Sequence, residues 1–255
     1  MSHQIIGLSE WWESPAGRYL LAWEQAQLDA WVSDLFGYNA LQLGWPALNA
    51  LQANRMPHRW LALPAMGGSG STPVSLVCDP AALPIAASSL DLLVLPHALE
   101  GSADPHQVLR EAERVLVPDG RLIIAAFNPN SWWGFQHSRS RLCDRLGVRA
   151  WGADQAFVPQ TGEFIGAWRL RDWLRLLGFE LEHERRGCYV PAVNSERWLQ
   201  RCAWMDRMGP RWWRFFGAVH MLVAVKRVRG MRLLGPAWQP RQSTAGVPAS
   251  VAQRR

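Results

Sequence analysis

Hydrophobic residues recur at helical spacing in three stretches of the chain, each bounded by start and stop signals. Ser14 and Asp104 are typical N-cap residues, each followed by proline at the first helical position, and Gln107 completes a capping-box pattern. Glycine is typical of helix ends because it adopts the left-handed conformation freely. The predicted helices run between these signals: Ser14 and Gly37, Asp104 and Pro118-Asp119-Gly120, Trp168 and Gly178.

Between the helices lie short apolar runs that predict strands. Two of them, Leu90–Leu95 and Arg121–Phe127, are apolar almost throughout, which is typical of strands buried on both faces. Strands that alternate with helices predict a mostly parallel sheet with helices on both faces, compatible with an antiparallel pair at one edge. The other predicted strands are Asn39–Leu43, Arg59–Leu63, Val74–Cys78, Phe179–Arg185 and Ala218–Val225.

Ligands of such sheets bind beyond the carboxyl ends of the strands, where the strand order reverses. The candidate functional residues are therefore those that directly follow strands. Among them are Gly44 and Trp45, Asp79 and Pro80, Pro96 and His97, and Asn128 and Ser131.

Charge is distributed unevenly along the 255 residues, whose net charge is +6. From Lys226 onward there are seven basic residues and no acidic one, which leaves 20 basic against 21 acidic residues before it. Such a tail could contact nucleic acid or anionic lipid, although a disordered, solubilising terminus is the favoured interpretation. The body of the protein is neutral, so the charge is no evidence that the domain binds polyanions.

The four cysteines are widely separated and have no zinc-type spacing, so no metal site is predicted. The longest apolar run, Phe215–Val225, is shorter than the roughly 20 residues that span a bilayer. The first 15 residues do not form a secretory leader pattern. These features predict a reduced, cytoplasmic protein with no membrane span.

Three segments carry a resemblance to a known family. The residues are CDPAALP at 78–84, SLDLLVL at 89–95 and LREAERVLVPDGRLIIAAFNP at 109–129, and RLRDWLRLLGFELE at 169–182 extends the match. This pattern resembles the second half of the type 11 subgroup of class I S-adenosylmethionine-dependent methyltransferases. The resemblance implies a three-layer, Rossmann-like, seven-stranded sheet over residues 38–226. Residues 1–37 are then a helical extension and 227–255 a basic tail.

The resemblance also implies roles for individual residues. Asp79 matches the acid that accepts from the adenine amino group, and Pro80 the neighbouring wall. Leu95, Pro96 and His97 match the end of strand four, where cofactor and substrate meet. His97 is either a proton acceptor or a buried structural histidine. Leu43 and Gly44 match the cofactor loop after strand one, while no residue is identified as catalytic.

Two departures from the family pattern concern cofactor binding. The family's loop after strand one is acid-x-Gly-x-Gly-x-Gly, whereas Gln42–Ala47 contains one glycine and the bulky or rigid Trp45 and Pro46. Strand two of the family ends in a carboxylate that binds the ribose, and Leu63–Met66 contains none. The loop is therefore divergent in the part that binds S-adenosylmethionine.

Two functional hypotheses follow. The first is an S-adenosylmethionine-dependent methyltransferase with an unidentified acceptor. The second is a non-catalytic, methyltransferase-like binding or regulatory module, with the Trp-rich segment Trp198–Trp213 and the basic tail as its contact surface. That segment could stack on nucleic-acid bases, although an amphipathic helix covering the sheet is favoured. A nicotinamide-dependent oxidoreductase is set aside because G-x-G-x-x-G is absent.

Overall fold

The computed structural model describes residues 11–64, 73–146, 162–191 and 195–227. The helices described there are α1 Pro15–Val32, α2 Pro105–Val115, α3 Trp132–Leu146, α4 Ala167–Leu176, α5 Glu196–Cys202 and α6 Trp204–Trp212. The strands are β1 Asn39–Leu43, β2 His58–Leu63, β3 Leu76–Val77, β4 Leu90–Pro96, β5 Leu116–Phe127, β6 Phe179–Gly187 and β7 Val219–Lys226.

These strands form a seven-stranded sheet in the order β3-β2-β1-β4-β5-β7-β6. Neighbouring strands from β3 to β5 pair in parallel, and β7 runs antiparallel to both β5 and β6. The predicted fold class, mostly parallel with an antiparallel pair at one edge, is confirmed. The strand order reverses between β1 and β4, which places a crevice at their carboxyl ends.

Two apolar clusters cover the two faces of the sheet, as the near-continuous apolar strands predicted. Along β5, Ile123 and Ala125 belong to the cluster that includes α1, whereas Leu122 and Ile124 belong to the cluster with α2 and α4. This alternation is the two-residue period of a strand. Because α1 lies inside the first cluster, this described part of the predicted extension packs on the sheet. The domain boundary at residue 37 stays a prediction.

The predicted start of α2 is confirmed, but its capping box is half formed. The Gln107 N–H donates to Asp104 Oδ1 at 3.0 Å, which is the N-cap bond. In a complete capping box, the Gln107 side chain would accept from the Asp104 N–H. Here the Asp104 N–H donates to Ser102 Oγ instead, at 3.2 Å.

Two predicted helix stops were wrong. Helix α1 ends at Val32, and Gly37 packs against Asp91, whose carboxylate accepts from the N–H groups of Tyr38 and Asn39, both at 2.9 Å. A Cβ on Gly37 would lie 2.5 Å from the Asp91 Cβ, so this glycine permits close packing. Helix α2 ends at Val115, and Pro118-Asp119-Gly120 lies inside β5, where Asp119 has φ +61°. The predicted stop of α4 at Gly178 is confirmed by its φ of +81°.

The basic tail after Arg227 lies outside the described residues, as do residues 1–10. Within the described ranges, no helix is both long and apolar enough to cross a bilayer. In the same ranges, no group of three or more His, Cys, Asp or Glu side chains is arranged to hold a metal ion.

Candidate functional site

Gly44 and Pro96 meet at the crevice between β1 and β4. Gly44 has φ +102°, which L side chains rarely adopt, and its N–H donates to the Ala62 carbonyl at 2.9 Å. A Cβ on Gly44 would lie 3.3 Å from the Pro96 carbonyl oxygen and 3.4 Å from the Ala98 Cβ. Only a glycine fits this position without strain, and Gly44 and Pro96 are both buried where the two strand ends pack together.

The side chains of Leu43 and Leu95 point away from this crevice. Both are buried in the apolar cluster with α2, so they offer only backbone atoms at the strand ends. Asp79 and the half-buried Pro80 follow β3, two strands from β1 on the same edge of the sheet. The Asp79 side chain is exposed, and its Oδ1 accepts from the Ala81 N–H at 2.8 Å.

Gln42 organises the loop that the sequence marks as divergent. Its buried amide donates to the carbonyl oxygens of Trp45 at 2.8 Å and Leu48 at 2.6 Å. Its oxygen accepts from the Ala50 N–H at 2.9 Å. A carboxylate at this position could not donate to the two carbonyls, so glutamine is the residue type that holds this loop.

His97 directly follows β4 and lies between two carboxylates. Its backbone has φ +50°, which is uncommon for a residue other than glycine, and its ring is buried. Nε2 is 2.8 Å from Glu24 Oε1, and Nδ1 is 3.3 Å from Glu100 Oε1. Glu100 Oε1 also accepts from the Phe127 N–H at 2.6 Å, which joins the end of β5 to this cluster.

The two carboxylates decide the charge of His97. Burial opposes a charge on the ring, but attraction and hydrogen bonding from Glu24 and Glu100 outweigh it and raise the pKa of His97 from 6.5 to about 10. At neutral pH the ring is therefore an imidazolium that donates to both carboxylates. The sequence predicts that His97 is either a proton acceptor or a buried structural histidine. The geometry favours a structural histidine, because a protonated ring cannot accept a proton.

Aromatic rings cover His97 from several directions. The Trp12 ring lies 5.5 Å from the His97 ring and 5.3 Å from that of Trp45, and Trp11 packs edge-on against Trp12 at 4.8 Å. The Phe127 ring lies 4.2 Å away on β5. The segment before α1 thus closes over the end of β4 and keeps water from the cluster.

Four buried polar atoms around His97 bond no group in the described part of the chain. They are the indole Nε1 atoms of Trp12 and Trp45 and the Oε2 atoms of Glu24 and Glu100. Unpaired buried donors and acceptors are costly, and native proteins keep few of them. The cluster around His97 therefore contains unsatisfied hydrogen-bonding groups of both kinds, donors and acceptors.

A second histidine, His220 on β7, differs from His97 in its surroundings. Both of its ring nitrogens are buried with no hydrogen-bond partner among the described residues. Burial lowers the pKa of His220 to about 3, helped by the nearby charges of Arg186, His97 and Arg171. The His220 ring is therefore neutral.

Cys188 is a buried thiol near the carboxylates of Glu24 and Asp206. Burial, together with these two negative charges, raises the pKa of the Cys188 thiol well above its usual range, which makes it a poor nucleophile.

Asn128 and Ser131, two of the candidate residues that follow strands, form hydrogen bonds with the main chain. The Asn128 amide donates to the carbonyl oxygens of Phe215 at 2.8 Å and Gly217 at 2.9 Å, which ties the end of β5 to the start of β7. The Ser131 hydroxyl donates to the Asn128 carbonyl at 2.7 Å and accepts from the Gly134 N–H at 3.0 Å.

Sequence reasoning missed Glu24, Glu100 and the role of Trp12 over His97. For Glu24 a signal exists, because it interrupts a run of buried residues spaced four apart along α1, namely Ala16, Leu20, Leu28 and Val32. An acid within the apolar face of a helix predicts a buried partner. For Glu100 and Trp12 the sequence contains no comparable signal.

Comparison with known proteins agrees with this architecture. A methyltransferase domain model matches residues 61–124. The uncharacterized protein YafS of Escherichia coli (strain K12) is 32% identical over 188 residues, which cover 73% of this chain and 71% of YafS.

Solved methyltransferases share the fold at low sequence identity. An S-adenosylmethionine-dependent methyltransferase from Thermotoga maritima has a TM-score of 0.58 at 14% identity, covering 88% of this chain and 96% of the other. One from Mesorhizobium loti has a TM-score of 0.52 at 15% identity, covering 78% and 96%. The chain therefore belongs to the same family as YafS, and it has the fold of the solved S-adenosylmethionine-dependent methyltransferases.

Proposed function

We propose that the protein is an S-adenosylmethionine-dependent methyltransferase that acts on an acceptor not yet identified. The observation that carries the proposal is the positive φ of Gly44 at the strand reversal, where only glycine fits against Pro96, with the exposed Asp79 on the same edge. This is where sheets of this topology bind their ligands.

The donor set at this edge fits the chemical groups of the cofactor. Asp79 offers a carboxylate oxygen to an adenine amino group, and Gly44 permits close approach of the backbone. When bound, the cofactor supplies a methyl group on a positively charged sulfur.

The cluster around His97 lies beside this edge of the sheet and carries a net negative charge. Two carboxylates against one imidazolium leave a net charge of about −1 in a site from which water is excluded, where charge interactions are strong. Trp12 and Trp45 lie over this cluster and would shield a bound ligand from solvent. The chain's own contribution is thus binding, orientation and exclusion of water.

Isothermal titration with S-adenosylmethionine tests the proposal. We expect binding by the full-length protein and affinity reduced roughly tenfold in Asp79→Asn, because the acceptor of the hydrogen bond loses its charge. Asp34→Asn, at an exposed aspartate near the amino end of β1, is the matched control and should bind normally. Absence of heat at high ligand concentration would contradict the proposal and favour a non-catalytic binding module.

A further inference from the structure

The outward face of α6 combines large apolar side chains with arginines. Trp204, Arg207, Met208, Arg211 and Trp212 follow one another at the spacing of a single helix face, and all are exposed. We call these five residues the Trp–Arg face. Trp204 is 50% exposed and Trp212 69%, values far above those of tryptophans that pack in a core.

The inward face of α6 fixes this orientation. The Asp206 carboxylate accepts from the Tyr19 hydroxyl and, at 2.9 Å, from the Tyr189 N–H. Gly209 packs so tightly that a Cβ would lie 2.3 Å from the Tyr189 ring. Because α6 is held by these contacts, the Trp–Arg face cannot turn towards the sheet. The segment Trp198–Trp213 lies in two short helices, α5 and α6, where the sequence predicts one amphipathic cover helix.

Neighbouring residues extend the same character beyond α6. Arg201 lies over the exposed Trp198 ring at 5.8 Å, and the Trp213 ring lies 6.2 Å from that of Trp204. Phe215 and Phe216 are exposed as well, and the Phe215 carbonyl accepts from the Asn128 amide. The exposed aromatic area thus continues to the edge of the sheet at which β5 ends.

Charge restricts the kind of partner that this area fits. Between residues 196 and 216 the acids are Glu196, which pairs with Arg18, and Asp206, which faces inward. The five arginines of the same segment are all exposed: Arg197, Arg201, Arg207, Arg211 and Arg214. All charged residues after residue 226 are basic too, so the chain's own tail has no charge complementary to these arginines. The partner must offer both anionic groups and an apolar layer.

We propose that the Trp–Arg face docks the protein on the interface of a bilayer that contains anionic phospholipids. Tryptophan prefers the level of the headgroups, arginine binds their phosphates, and a short helix with both lies flat in this region. A nucleic-acid strand also offers phosphates and bases, but Met208 has no ring on which a base could stack. The inference is independent of the proposed methyl transfer, because it needs no cofactor.

Co-sedimentation of the full-length protein with vesicles tests this docking. We expect binding to phosphatidylcholine vesicles that contain phosphatidylglycerol, weaker binding to pure phosphatidylcholine vesicles, and weakening by salt. The double variant Arg207→Gln/Arg211→Gln should bind the anionic vesicles roughly 30-fold more weakly, since each arginine near such a surface contributes about fivefold. Trp204→Ser/Trp212→Ser should lose roughly tenfold or more even at high salt, because the apolar contribution is not screened.

Phe36→Ser and Arg55→Gln are matched controls at exposed positions near the amino ends of β1 and β2, and both should bind vesicles normally. Thermal unfolding of each variant checks that it folds. If the tryptophan double variant does not fold, the arginine double variant alone tests the proposal. The proposal is overturned if the wild type does not bind anionic vesicles or if both double variants bind like wild type. Binding to a single-stranded oligonucleotide in place of vesicles, lost in the same variants, would assign the face to nucleic acid instead.

Discussion

Glu24 of helix α1 and His97 at the end of strand β4 form a buried ion pair, with Oε1 and Nε2 2.8 Å apart. The pair links the segment before the first strand to the carboxyl edge of the sheet. Glu100 completes it from the other side of the ring, so the cluster holds His97 protonated in a left-handed backbone conformation.

Glu24→Gln should destabilise the fold by about 3 kcal/mol, because it leaves a buried imidazolium with one carboxylate where it had two. The pKa of His97 should fall in the same variant. Urea unfolding measures the first effect and NMR titration of the His97 ring the second. Glu13→Gln makes the same chemical change at an exposed position and should alter neither.

The His97 cluster should make the protein less stable in alkaline solution. The unfolded chain releases this proton near pH 6.5 and the folded protein near pH 10, so the stabilisation is complete below pH 6.5 and is lost as pH rises towards 10. The slope of the free energy of unfolding against pH reaches at most about 1.4 kcal/mol per pH unit for this one proton. The raised pKa of Cys188 acts in the same direction, so the measurement compares wild type with His97→Gln, in which the slope should be smaller. Equal slopes would show that His97 is not charged in the folded protein.

His220 should have the opposite effect on the acidic side. Its pKa of about 3 in the folded protein lies below the value of 6.5 in the unfolded chain. As pH falls, the unfolded chain therefore binds this proton before the folded protein does, and stability decreases from pH 6.5 towards pH 3. His220→Phe removes this proton uptake and two unpaired nitrogens, and it should raise the free energy of unfolding by about 1–3 kcal/mol, most strongly at low pH. His58→Phe, at an exposed site, is the control. A uniform change at all pH values would contradict this account.

Gly44→Ala should destabilise the protein by roughly 1–2 kcal/mol, because alanine is strained in the left-handed region. The added methyl would also crowd the Pro96 carbonyl and weaken S-adenosylmethionine binding. Gly101→Ala is the matched control, since no atom lies within 4 Å of its added Cβ. Denaturant unfolding and titration of both variants would measure the two effects, and equal behaviour of the variants would argue against a special role for Gly44.

The sheet was predictable from the sequence because strand periodicity is local. Asn39–Leu43 forms β1 with the predicted bounds, and Leu90–Leu95 extends by one residue as β4. The pair of Glu24 and His97 was not predictable in full, since its members are 73 residues apart and only the fold brings them together. The three hydrogen bonds of Gln42 explain how the loop after β1 is held in place, whereas the family pattern alone only marks this loop as divergent.

Hydrogen exchange measured with and without S-adenosylmethionine tests the proposed cofactor site between β1 and β4, because it locates the bound ligand on the chain. We expect slower exchange in three peptides at the carboxyl edge of the sheet, covering residues 42–50, 79–83 and 96–100. The same protection should be absent in Gly44→Ala and present in Gly101→Ala. Unchanged exchange in these peptides at a saturating concentration of ligand, or protection confined to other parts of the chain, would contradict a cofactor site between β1 and β4.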